Sequence, residues 1–108
     1  MTDNATARER LPNRRLCENF TFEHVGMKYI ASVAHYGDGK LGEIFISNCK
    51  PGSDADAAAK DSAVVCSLAL QYGVPIETIR KALLRDSHGY PSSPLGTALD
   101  LITAGEQP

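Results

Sequence analysis

Tryptophan is absent from this 108-residue chain, aromatic residues make up 6% of it, and cysteine occurs three times. Cys17, Cys49 and Cys66 are an odd set with no close pair. That excludes a disulfide framework and a C-x-x-C zinc or redox motif. Cys17, His24, His35 and Cys49 match no metal-ligand spacing, so the thiols read as free and neither a metal nor a cofactor is expected. No apolar run reaches the roughly 18 residues of a membrane-spanning helix. "MTDNATARERLPNRR" offers no hydrophobic segment for a secretory signal. Charge of one sign is lacking as well. Eleven basic against 13 acidic residues leave a formal net charge of −2, no global field for nucleic acid or an anionic membrane. A single globular domain, cytoplasmic and without membrane contact, is the expectation.

What is present begins with a polar stretch in which Arg8, Arg10, Arg14 and Arg15 lie close together. It predicts a flexible N-terminal arm over 1–15, serving solubility or touching an acidic partner, ahead of a single domain over 16–104. "NFTFEHV" alternates, with Phe20 and Phe22 on one face. Gly26 permits a turn into "MKYIASVAHY", a run rich in strand formers. Asp38-Gly39 is a short hairpin signal, and "LGEIFIS" follows as a third strand. Two successive hairpins make an antiparallel meander with one face to be covered.

The remainder reads as helical. Residues 54–72 carry Ala58, Ser62, Val65, Ala69 and Tyr72 at helical spacing, a stripe able to lie on a sheet. Gly73 fits a helix C′ position and Pro75 the first turn of the next helix. "IETIRKALL" places Ile76, Ile79 and Leu83 on one face; "RDSHGYPSSP" is a loop; Ser93-Pro94 opens a last short helix. The fold class is therefore α+β: a three-stranded antiparallel β-meander followed by two to three helices packed on one face.

The corner in "FISNCKPGSDADAAAKDSAV" runs from strand through a glycine turn into a helix N-terminus, the outline of many phosphate cradles. Ser53 is a good N-cap and Asp56 completes an acidic capping box. Asp54 adds a second carboxylate, and together they would repel a phosphate. Lys50 precedes the lone glycine, so no P-loop pattern is present. On its chemistry the corner is structural.

The same residues carry a resemblance. "GEIFISNCKPGSDADAAAKDSAVVCSLALQYGVPIETIRKALL" resembles the TSCPD domain, the C-terminal domain of adenosylcobalamin-dependent ribonucleotide reductases, over about residues 27–103. The shared order is a strand like Gly42–Ile46, the Lys50-Pro51-Gly52-Ser53 turn, an alanine-rich helix, and a step like Leu70–Pro75. The resemblance implies the fold and an association with ribonucleoside-diphosphate reduction. The 108 residues hold no threonine-serine-cysteine-proline-aspartate run and no cysteine after Ile102, so it carries no catalytic residue across. It implies a small accessory or regulatory module of deoxyribonucleotide metabolism, without chemistry of its own, binding a nucleotide-type ligand or a protein partner such as a reductase subunit.

A rival lies in "SLALQYGVPIETIRKAL", which also reads as a DNA-binding helix-turn-helix with Gly73 in the turn and Thr78, Arg80 and Lys81 facing outward. The net negative charge and Glu77 oppose it. An enzymatic reading rests only on Asp86, Ser87 and His88, neighbours in a loop whose groups point apart. The candidate binding surface gathers Lys50, Arg80, Arg85 and His88, cationic residues near turns; the plainer reading is a solvated charged face. Phe20, Phe22, Tyr29, Val33, Phe45 and Ile46 are expected to divide between both sheet faces, leaving an apolar patch and hence a homodimer through the sheet. The monomeric alternative has Leu11 and Leu16 folding back over it.

Overall fold

The computed structural model describes residues 7–105. Three strands, β1 (Glu18–His24), β2 (Met27–His35) and β3 (Leu41–Asn48), form an antiparallel sheet in the order β1-β2-β3. Three helices follow: α1 (Asp54–Gln71), α2 (Ile76–Ala82) and α3 (Pro94–Gly105). The α+β meander expected from the alternation is what forms. Register pairs Thr21 with Ile30 and Ser32 with Phe45, so strand parity sorts the side chains. Phe22, Tyr29, Ala31, Val33, Ile44 and Ile46 are buried toward the helices.

The opposite face carries Asn19, Thr21, Glu23, Lys28, Ser32 and Ser47, with Ile30 and Phe45 as its half-exposed apolar members. The six apolar residues thus divide unevenly between the faces. Only Phe45 lies outward, because the register puts the other five at inward positions.

Helix α1 lies along the free edge of β3 and closes it. The Gln71 side chain donates to Gly42 O at 3.0 Å. The Ser67 hydroxyl accepts from Ile44 N and donates to Ile44 O, both at 2.8 Å. The Asp56 carboxylate accepts from Asn48 N at 2.9 Å. The match is geometric. From Gln71 back to Asp56 the helix climbs about 22 Å at ~1.5 Å per residue. From Gly42 to Asn48 the strand covers about 20 Å at ~3.4 Å per residue. Buried Ala59, Ala63, Cys66 and Leu70 present the apolar side of the same helix. The stripe expected at Ala58, Ser62, Val65, Ala69 and Tyr72 is displaced, since Ala58, Val65 and Tyr72 are exposed. Polar side chains that satisfy buried strand groups replace solvent on this face.

The corner explains itself locally. Ser53 N–H donates to Lys50 O at 3.3 Å, closing a turn with Gly52 at φ 79°, a conformation that favours glycine. Asp56 N–H donates to Ser53 Oγ at 3.1 Å, so Ser53 is the N-cap. The Asp56 carboxylate does not complete a capping box. It turns to Asn48 N and to Gly52 N (3.1 Å), with Lys60 at 3.0 Å. These bonds, Asn48 N first, lower its pKa below the usual carboxylate range. The corner holds its own anion where a phosphate would sit.

Residues 7–15, expected within a flexible arm, make specific contacts; residues 1–6 lie outside the described residues. Glu9 N–H donates to Gln71 O at 2.8 Å and Tyr36 O–H donates to Glu9 O. Leu11 is buried beside Gly42, where a Cβ would come within 2.7 Å of the Tyr36 ring and 3.1 Å of Leu11. Arg15 grips Glu43 at 2.7 and 3.2 Å. Leu16, by contrast, is 92% exposed.

Candidate functional site

Of the four cationic candidates, the fold brings two together on one carboxylate. Arg80, on α2, donates from Nε to Asp100 Oδ1 at 2.9 Å and from Nη1 to Glu77 Oε2 at 2.7 Å. Arg85, just past α2, forks onto Asp100 with Nη1 on Oδ2 and Nη2 on Oδ1, both at 2.8 Å. Asp100 comes from α3, so the cluster staples α2 and the following loop to the last helix. Planar guanidinium against carboxylate is the strong bidentate form of the ion pair.

His88 sits in the loop beyond. The Asp86 carboxylate accepts from His88 N at 2.8 Å and Tyr90 N at 3.0 Å, and Arg85 Nη1 donates to Gly89 O. Asp86 therefore shapes the loop backbone and does not orient the His88 ring. Lys50 is exposed at the β3–α1 corner, its backbone N–H on Asn48 Oδ1 at 2.7 Å, and no contact joins it to the arginines among the described residues. No group of three or more His, Cys, Asp or Glu residues that could hold a metal occurs among the described residues. Burial pushes the Cys66 thiol up to about 11, so it stays protonated at neutral pH.

Asp100 is the residue the sequence reading missed. It is the only charged residue in "PLGTALDLITAG", and an isolated carboxylate in an apolar helix calls for a cationic partner. The hydrogen bonds from Arg85, then those from Arg80, hold its carboxyl down to about 2 against an ordinary 3.8. A depressed carboxyl contributes stability that is fully present above the unfolded-state value and is lost as pH falls toward the folded-state value. We expect this contribution to disappear between about pH 4 and pH 2. Urea midpoints of wild type and Asp100→Asn should differ at neutral pH and converge across that window. A constant difference from pH 5 to pH 2 would refute the ion-pair account.

The same geometry limits the other readings. Two arginines facing Asp100 and Glu77 give a locally neutral cluster, so little positive field is left for a phosphate. In the helix-turn-helix reading Arg80 would reach a groove, yet it is turned onto Glu77 and Asp100. α2 is seven residues long and buries none of them fully.

A family model for the TSCPD domain matches residues 5–103. The chain belongs to the TSCPD domain family. Similar curated proteins are vitamin B12-dependent ribonucleotide reductases. That of Agrobacterium fabrum is 43% identical over 72 residues, covering 65% of this chain and 6% of the reductase. That of Bradyrhizobium diazoefficiens is 40% identical over 72 residues, covering 65% and 6%. That of Rhodopirellula baltica is 39% identical over 72 residues, covering 67% and 7%. The chain thus spans only 6 to 7% of the length of these relatives. No solved structure matches it.

Beside the arginine cluster, this TSCPD domain has a groove of about 380 Å³ between its helices, lined by Ser62, Val65, Cys66, Ala69, Ile79 and Leu83 among others. Ser62, Val65 and Ala69, expected to lie on the sheet, therefore face the second helix instead. A larger cleft of about 510 Å³ lies between the β2–β3 turn and the α1–α2 corner, where Tyr36, Lys40, Leu41 and Ile76 contribute to its wall. No described helix of the TSCPD domain is long and apolar enough to cross a membrane.

Proposed function

We propose that this TSCPD domain is a non-catalytic accessory module of deoxyribonucleotide metabolism that binds a ribonucleotide reductase. The observation that carries this reading is its 39–43% identity to a short part of B12-dependent reductases. The internal neutralisation of Arg80 and Arg85 favours a protein partner over a nucleotide. The apolar helix groove offers that partner a seat, with Val65 exposed in its wall.

Titration calorimetry with a purified B12-dependent reductase tests this. Saturable binding is expected, weakened about tenfold or more by Val65→Asp, as for a residue central to an interface. Val65 is 66% exposed, so the substitution leaves the fold intact. Absence of binding would sink the proposal. Binding of ATP or dATP reduced by Lys50→Ala or His88→Ala would favour the nucleotide reading. A salt-sensitive shift of duplex DNA would favour the helix-turn-helix one.

A further inference from the structure

We propose that the outer edge of β1 pairs antiparallel with β1 of a second copy, joining two meanders into one continuous sheet about a two-fold axis through Thr21. This stands independently of the reductase reading. The two sheet edges are treated differently: α1 side chains bond the backbone of Gly42, Ile44 and Asn48 on β3, whereas β1 has no backbone partner beyond β2 among the described residues. β1 carries no proline, lysine or bulge to block an incoming strand, and its two charged residues, Glu18 and Glu23, find non-repelling neighbours in the register below.

Hairpin geometry sets which groups face outward. His24 and Met27 flank a two-residue turn, Val25-Gly26, with φ 50° and 75°. Two positive φ values make the tight hairpin turn whose flanking residues exchange both backbone bonds. Counting back from His24 by the alternation of an antiparallel ladder, Asn19, Thr21 and Glu23 aim their N–H and C=O groups at the open edge.

Centring the two-fold on Thr21 then decides every cross-strand neighbour. Thr21 meets Thr21, Asn19 meets Glu23, Phe20 meets Phe22, and Glu18 meets His24. No like charges oppose each other. Shifting the axis one residue, to Phe20, would set Glu18 against Phe22 and forfeit both the Glu18–His24 and the Phe20–Phe22 pairs. Phe20–Phe22 and Glu18–His24 fall at the closely spaced non-hydrogen-bonded positions, where side chains interact most. Within one copy Phe20 and Phe22 have centroids 5.9 Å apart, and Phe22 stacks on Tyr29 at 5.5 Å. Pairing would continue this aromatic row into the second copy. Thr97 Oγ1 holds His24 Nδ1 at 2.9 Å, leaving Nε2 for Glu18 of the second copy.

Sedimentation equilibrium and cross-linking test the register. Wild type is expected at twice 11.6 kDa. Thr21→Pro removes an outward N–H without breaking a β1–β2 bond, and proline is tolerated on such an edge; it should fall to 11.6 kDa with an unchanged circular dichroism spectrum. In a Cys17→Ser, Cys49→Ser background, Thr21→Cys should form a disulfide with itself. Hydrogen-bonded partners lie about 5.5 Å apart between Cα atoms, within disulfide reach. Asn19→Cys should not, since its equivalents would be offset by about 14 Å of strand. If the proline variant fails to fold, the two cysteine variants decide. A monomer throughout the micromolar range, a folded dimer surviving Thr21→Pro, or cross-linking of Asn19→Cys equal to that of Thr21→Cys would each overturn the proposal.

Discussion

Leu99→Ala is expected to destabilise the domain by about 2–5 kcal/mol. Leu99 is fully buried in α3 and belongs to the apolar cluster that includes Ile44, Ile46, Ala98 and Ile102. Removing its isobutyl group forfeits the transfer energy of the lost carbons and leaves a cavity that a well-packed interior refills only in part. Domains of this size are stable by about 5–15 kcal/mol, so the loss is a large share of the whole. Leu101→Ala is the internal control: Leu101 is 46% exposed on the same helix, and its truncation should cost far less. Urea denaturation of the two variants reads the difference as a shift in midpoint at constant slope. Equal midpoints would show that α3 is peripheral and that the sheet and α1 hold themselves together.

Ser67→Ala is the second large effect, about 1–3 kcal/mol, because it strands a buried amide and carbonyl together. The Ser67 hydroxyl serves both backbone groups of Ile44, and serine and strand are buried where water cannot substitute. Ser62 supplies the comparison. Its hydroxyl bonds only the carbonyl of Ala59 within its own helix, a group already in the helical ladder. Ser62→Ala should stay within about 0.5 kcal/mol of wild type. Thermal and urea unfolding of both variants measures the contrast. A Ser67→Ala protein as stable as Ser62→Ala would mean that these bonds contribute nothing net to the edge closure.

The strand order and the main helix were readable because their signals are local. Phe20 and Phe22 alternate, Asp38-Gly39 marks a turn, Ser53 caps a helix, and Gly73 ends it at φ 96°. The expected helix over 54–72 differs from the observed Asp54–Gln71 by one residue. The buried face of that helix was not readable by the same means. A hydrophobic pattern assigns Asp56, Ser67 and Gln71 to solvent and Val65 to the core. What reverses this is the demand of an unpaired strand edge for donors and acceptors, and that demand exists only once β3 lies beside α1. The candidate site divides similarly. Arg80 and Arg85 were visible as cations near a turn, but their engagement with Asp100 depends on α3, 15 and 20 residues further along the chain. His88 and Lys50 could be read as exposed residues at turns; the backbone role of Asp86 in shaping the His88 loop could not.

The sealing of β3 by α1 also governs how copies of this fold can add to one another. A sheet with two open edges can recruit neighbours on both sides and propagate without limit, the geometry of a fibril. Here one side is permanently terminated by Gln71, Ser67 and Asp56. Growth has a single direction, and a symmetric partner at β1 uses it up. With β1 paired as proposed, strand-mediated association would stop at a closed pair, the three polar side chains on α1 acting as a chain terminator for assembly.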